Sequence, residues 1–208
     1  MQIANRPRTA HGRGRPQWLP GDVYVAIWGQ SNAQGAALRS DISASPLSSD
    51  AGLAAYDAGT FSRVWIWTGS AFAQLQPSVN NGASAGYFGP EFGLAVRWMR
   101  ETSSGNLFLQ KEAVSGAPIS TFDTSVWPGS DMVSRAVDLA FPWLVTNGYA
   151  IAARHWLWVQ GESNASDTQS AYQVPLQAII DSLLALGVTT SASRYVLAQM
   201  LPGSATYG

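Results

Sequence analysis

Val23-Tyr-Val-Ala-Ile-Trp-Gly-Gln-Ser31-Asn-Ala-Gln-Gly35 is an apolar run that stops at a glycine and a serine. Its first six residues have the β-branched and aromatic content of a strand buried on both faces, as in a parallel sheet. Gly29 permits a sharp turn, and Ser31 falls where a following helix would begin. A serine so placed stands at the carboxyl end of a strand, beside helix-terminal N–H groups that can stabilise a developing oxyanion. The same residue can equally be a plain helix cap after a core strand. The rest of the chain has to separate the two.

Working outward, strands and helices alternate. Residues 33–60, rich in Gly, Ala and Ser, read as irregular, and Arg63–Trp67 with Ala71–Leu75 as a small hairpin turned at Thr68-Gly69-Ser70. Residues 76–90 read as loop. The spacing of Phe92, Ala95, Trp98 and Met99 behind Pro90 predicts a helix over Glu91–Thr102. Leu107–Ala113 reads as a second parallel strand, and 114–129 as loop. A helix is predicted over Asp131–Thr146, broken or bent at Pro142 and stopped at Asn147-Gly148. Ile151–Val159 is a third strand, Asp167–Leu186 the longest amphipathic helix, and Arg194–Leu201 a fourth strand. The alternation predicts an α/β fold, doubly wound with a mainly parallel sheet and flanking helices.

The chain of 208 residues, 46% hydrophobic and 12% charged, suffices for one domain with a real core. Residues 1–21 hold Arg6, Arg8, Arg13 and Arg15 and no acid, so a basic extended arm is expected there, ahead of a domain over 22–208. The remainder carries 8 basic against 13 acidic residues, which argues against nucleic acid as a partner. No apolar stretch reads as a secretory signal or a membrane span, and the compartment stays open. Without cysteine there is no disulfide, and no ligand spacing for a metal or motif for a cofactor is present. Nucleotide binding is a weak alternative, because no GxGxxG or Walker-type loop follows the first strand. Nine tryptophans and seven tyrosines are enough for a core with some left facing outward, where flat rings suit sugars or partner proteins.

In a sheet of this kind ligands bind at the carboxyl ends of the strands. The first strand ends in Gly29-Gln30-Ser31, the second runs into Val114-Ser115-Gly116, and the third ends in Gln160-Gly161-Glu162-Ser163-Asn164. A hydroxyl, a glycine amide, and an amide with a carboxylate are thereby expected at one edge, a convergence typical of an active site.

GQSNAQG at 29–35, GPEFGLA at 89–95, KEAVSGAPIS at 111–120 and WVQGESNA at 158–165 together resemble the SGNH hydrolase superfamily. The resemblance is closest to its sialate O-acetylesterase-like and acetylxylan-esterase-like branch of carbohydrate esterases, and it covers about residues 22–202. It implies the three-layer SGNH/flavodoxin-like fold and removal of O-acetyl groups from carbohydrate without a cofactor. It also implies Ser31 as nucleophile and Glu162 as the triad carboxylate. The N–H groups of Ser31 and Gly116 and the amide of Gln160 would form the oxyanion hole. Gln30, Asn32 and Asn164 are candidate substrate contacts. Read without the resemblance, Gln160 is a strand-end amide satisfying loop backbone and Glu162 a helix cap.

A serine needs a base. Relatives in this superfamily take it from a late Asp-x-x-His motif, which this sequence lacks, together with a last strand and helix. The domain is therefore expected to be C-terminally incomplete. The histidines are His11, in the basic arm, and His155, four residues before a strand end. Turnover then requires a histidine from a missing C-terminal segment or from a partner chain. The alternative is an inactive SGNH-like module that binds carbohydrate or assembles into a larger body, such as a spike or fibre component of a phage-like particle or virion. Residues 1–21 and the incomplete sheet edge are the expected contacts with a protein partner.

Overall fold

The structure, a computed structural model, describes residues 21–38, 40, 52–77, 79 and 86–198. The predicted basic arm, Gly21 apart, and the chain after Ala198 lie outside the described residues.

Strand β1 (Asp22–Gly29) is the centre of a six-stranded sheet. Val23, Val25 and Ile27 go to one face, Tyr24, Ala26 and Trp28 to the other, and all six are buried. That is why the run is apolar without alternation: helices cover both faces. After β1 come the single turn α1 (Ser31–Gln34), β2 (Ala37–Leu38), α2 (Gly52–Asp57), the hairpin β3 (Val64–Trp67) and β4 (Phe72–Gln74), and β5 (Tyr87–Phe88). Next are α3 (Pro90–Glu101), β6 (Leu107–Ala113), α4 (Gly129–Ser134) and α5 (Phe141–Thr146). Strand β7 (Ile151–Val159), α6 (Gln169–Ala185) and β8 (Tyr195–Leu197) complete the described chain.

The sheet order is β4-β3-β6-β1-β7-β8, and every pairing is parallel except that of β3 with β4. Residues of α2 and α3 join one core layer with Val25 and Leu109, while α4, α5 and α6 close the other over Trp156 and Trp158. The result is the expected three-layer α/β fold with a mostly parallel sheet.

Two readings of the sequence change, and one gains a partner strand. The stretches 33–60 and 76–90 are not wholly irregular: they supply α2 and the small antiparallel pair β2–β5. The predicted hairpin is present as β3 and β4, and β3 also pairs with β6, which carries it onto the main sheet. The helix over 131–146 starts at Gly129 and passes through a π-helical stretch, Arg135–Ala140, just before Pro142. A proline lacks the N–H that an α-helix needs, and the wider turn absorbs the defect. Trp28, Trp67, Trp98, Trp156 and Trp158 are core residues, whereas Trp127 stands 78% exposed.

Candidate functional site

Register brings the three predicted strand ends together: Gly29 pairs with Ala113 on β6 and with Val159 on β7. Gly29 holds φ at +151°, and a Cβ there would lie 1.9 Å from the Val159 carbonyl oxygen, so no other residue fits this crossing. The chain then turns into α1. Ser31 is its first residue, half-buried, and neither its Oγ nor its N–H has a hydrogen-bond partner among the described residues.

The two neighbours of Ser31 reach to the end of β7. Gln30 Oε1 accepts from the N–H groups of Gly161 (3.5 Å) and Ser163 (3.4 Å), on either side of Glu162. Asn32 Nδ2 donates to Glu162 Oε1. The other carboxylate oxygen, Oε2, is buried and has no partner among the described residues. The Gly116 turn is tied into the same web. Val114 N–H donates to Gly29 O (3.0 Å), Ser163 Oγ to Gly116 O (2.9 Å), and Ile119 N–H to Asn164 Oδ1 (2.8 Å). Ser31, Gly116 and Glu162 thus sit on three loops fastened to one another.

The other expected site residues have internal hydrogen bonds in this structure. Gln160 is 2% exposed, and its two amide hydrogens go to Ala117 O (3.0 Å) and Asn164 Oδ1 (2.6 Å). An amide nitrogen has only two hydrogens, so in this arrangement none is left for an oxyanion. Gln30, Asn32 and Asn164, read from the sequence as candidate substrate contacts, each have internal partners: Gln30 and Asn32 bind the Glu162 turn, and Asn164 Nδ2 donates to Asp167 Oδ2 (2.6 Å). For Gln30 and Gln160 the reason is burial, since polar groups closed in between loops have to be satisfied there.

Sequence reading missed Tyr172. Its hydroxyl donates to Gln160 Oε1 (2.7 Å) and accepts from Trp158 Nε1 (2.9 Å). Burial is the largest influence and raises its pKa; the Trp158 bond opposes it and the nearby Glu162 charge adds a smaller rise, so the hydroxyl stays a neutral prop for Gln160. Also missed was the pair Glu91–Lys111, although a lysine interrupting the apolar strand Leu107-Phe-Leu-Gln-Lys-Glu-Ala113 was a visible signal.

His155 is aligned with Val25, four positions below Gly29, and its Nδ1 accepts the Arg194 N–H (3.1 Å). Burial chiefly, then the Arg194 charge, lowers its pKa. His11 lies outside the described residues. Two clefts of about 390 Å³ flank the strand ends. One is walled by Trp67, Thr68, Glu112 and Arg135, the other by Gln160, Asn164, Tyr172 and Leu197. Ser31 follows the strand between them. Among the described residues no group of three or more His, Cys, Asp or Glu could hold a metal ion, and no helix is long and apolar enough to cross a membrane.

The fold places the chain in the class of three-layer α/β proteins with a mostly parallel sheet. The chain belongs to the carbohydrate esterase family of sialic acid-specific acetylesterases, whose pattern matches residues 20–186. A protein of Arabidopsis thaliana shares the fold, with a TM-score of 0.54 at 18% identity over 88% of each chain. A carbohydrate acetylesterase from Xanthomonas citri is 20% identical with a TM-score of 0.43, over 85% of this chain and 40% of that one. The match therefore spans about two fifths of that protein. NanS is 11% identical with a TM-score of 0.48, over 88% of this chain and 69% of its own. No curated protein matches in sequence.

Proposed function

We propose that the protein removes O-acetyl groups from carbohydrate by acyl transfer through Ser31. Oγ attacks the acetyl carbonyl carbon, and the N–H groups of Ser31 and Gly116 receive the oxyanion. A base takes the Oγ proton and passes it to the departing sugar oxygen, and water then hydrolyses the acetyl-serine. Glu162 orients that base through Oε2. The observation that carries this reading is the carboxylate beside Ser31, held through one oxygen by Asn32 while the other is buried and unpartnered. A buried carboxylate oxygen without a donor is costly, and an imidazole N–H is the donor that would satisfy it.

His155 does not fill this role, since it lies below the strand ends and its Nδ1 is engaged. The base is a histidine from outside residues 21–198, either His11 or one on an adjoining chain or segment. The test is release of acetate from an aryl acetate and from O-acetylated sialic acid, with labelling by a fluorophosphonate. Ser31→Ala abolishes all three, and Glu162→Gln lowers turnover by about 10⁴, as loss of the orienting carboxylate does in a serine triad. His11→Ala separates the two sources of the base. Equal rates for wild type and Ser31→Ala overturn the proposal.

A further inference from the structure

We infer that the buried Glu91–Lys111 pair is a positioning device for Ser31, in which Lys111 fastens the carbonyl end of the turn that bears the serine and Glu91 holds Lys111 in place. This rests on the reading of Ser31 as nucleophile.

Four residues make α1, far too few for a helix to persist without outside support. Its leading end is anchored: Gln30 N–H donates to Val159 O (3.1 Å), and the Gln30 side chain joins the Glu162 turn. At its trailing end Gln34 O accepts from Lys111 Nζ (2.8 Å), and Gly35 N–H returns to Ser31 O (2.9 Å). Nζ is also 3.0 Å from Glu91 Oε2, with the two side chains 3% and 0% exposed. The other oxygen of Glu91 accepts the Gly89 N–H at 2.7 Å. Gly89 itself packs on Gly35: a Cβ on Gly35 would lie 2.7 Å from Gly89 N, and one on Gly89 would lie 2.9 Å from Gly35 Cα. Helix α3, strand β6 and the end of α1 are thus locked by one ammonium group.

Stability is a poor account of this pair. Burial works against both charges, raising the pKa of Glu91 and lowering that of Lys111, and well-packed apolar substitutes for such pairs are often neutral or stabilising. What an apolar pair cannot supply is a donor to Gln34 O. A turn freed at that end lets the Ser31 Oγ and N–H drift, and misplacement of about 1 Å slows chemistry by about 10² without altering how substrate binds elsewhere.

The test compares Lys111→Met with Glu91→Gln/Lys111→Met, which leaves no buried charge, and with Ile66→Val as a core control away from the turn. Amide hydrogen exchange is read at Gln34 and Gly35 against Ala26 in β1. In both Lys111 variants exchange at Gln34 and Gly35 rises by roughly ten- to a hundredfold relative to Ala26. Aryl acetate turnover, or the rate of fluorophosphonate labelling where turnover is slow, falls by about 10² with KM unchanged. In Ile66→Val the ratio of exchange rates stays that of wild type. Exchange that rises equally at Ala26, or a folded double variant with wild-type exchange at Gln34, overturns the inference. If wild type, assayed with the segment or partner that brings the base, neither turns over nor labels, the nucleophile reading fails, while exchange still decides whether Lys111 holds the turn.

Discussion

Lys111 and Glu112 are neighbours on β6 that face opposite sides of the sheet, and each makes an ion pair of a different kind. Lys111 meets Glu91 in a sealed pocket at 3% and 0% side-chain exposure. Glu112 meets Arg135 at 2.8 Å through each oxygen, at 12% and 28% exposure, in the wall of a cleft, and Arg135 bridges onward to Asp131. The buried pair has little access to solvent, so each charge depends on the other. The open pair can exchange protein contacts for solvent. Lys111 borders the same cleft as Glu112 and Arg135, but its ammonium group is turned inward to Glu91 and to the end of the Ser31 turn.

The largest effect expected is from Lys111→Met, which leaves a buried carboxylate without its cation and lowers unfolding free energy by about 3–5 kcal/mol in denaturant titration. Adding Glu91→Gln restores most of that loss. A double variant no more stable than the single would erase the contrast between the pairs. Arg135→Gln costs about 1 kcal/mol, since Glu112 can turn to water. High salt shrinks the contribution of Arg135 and leaves that of Lys111 nearly unchanged, which sharpens the comparison.

His155 offers a third case and the smallest effect: a half-buried base without a carboxylate, kept neutral by burial and by Arg194. Its folded pKa lies below its ordinary value of 6.5, so the unfolded chain binds the proton more readily. Stability should therefore hold above about pH 6.5 and fall as pH drops below it, and His155→Gln should flatten that slope in thermal melts.

Much of the scaffold was legible in the chain. The apolar runs of β1, β6 and β7 and the period of α3 and α6 identified the sheet and its layers, because burial on both faces leaves a continuous signature. The breaks at Gly29, Gly116 and Gly161 pointed to the strand ends. Less visible were β2 and β5, two residues each, whose pairing joins segments far apart in the chain and has no local pattern. The task of Gln160 was hidden for a related reason: its partners, Ala117, Asn164 and Tyr172, come from three different segments.

The sequence by itself determined the fold class, the family and the edge of the sheet where Ser31, Gly116 and Glu162 belong, since these follow from hydrophobic periodicity and short motifs. Only the tertiary structure decided what the polar groups around Ser31 do. Gln30 and Asn32 turn away to hold Glu162, Gln160 is satisfied internally, and Lys111, a lone charge in an apolar strand, reaches the far end of the serine's turn. Hydrogen bonds between residues as much as 133 positions apart depend on register and packing, which no stretch of sequence encodes alone.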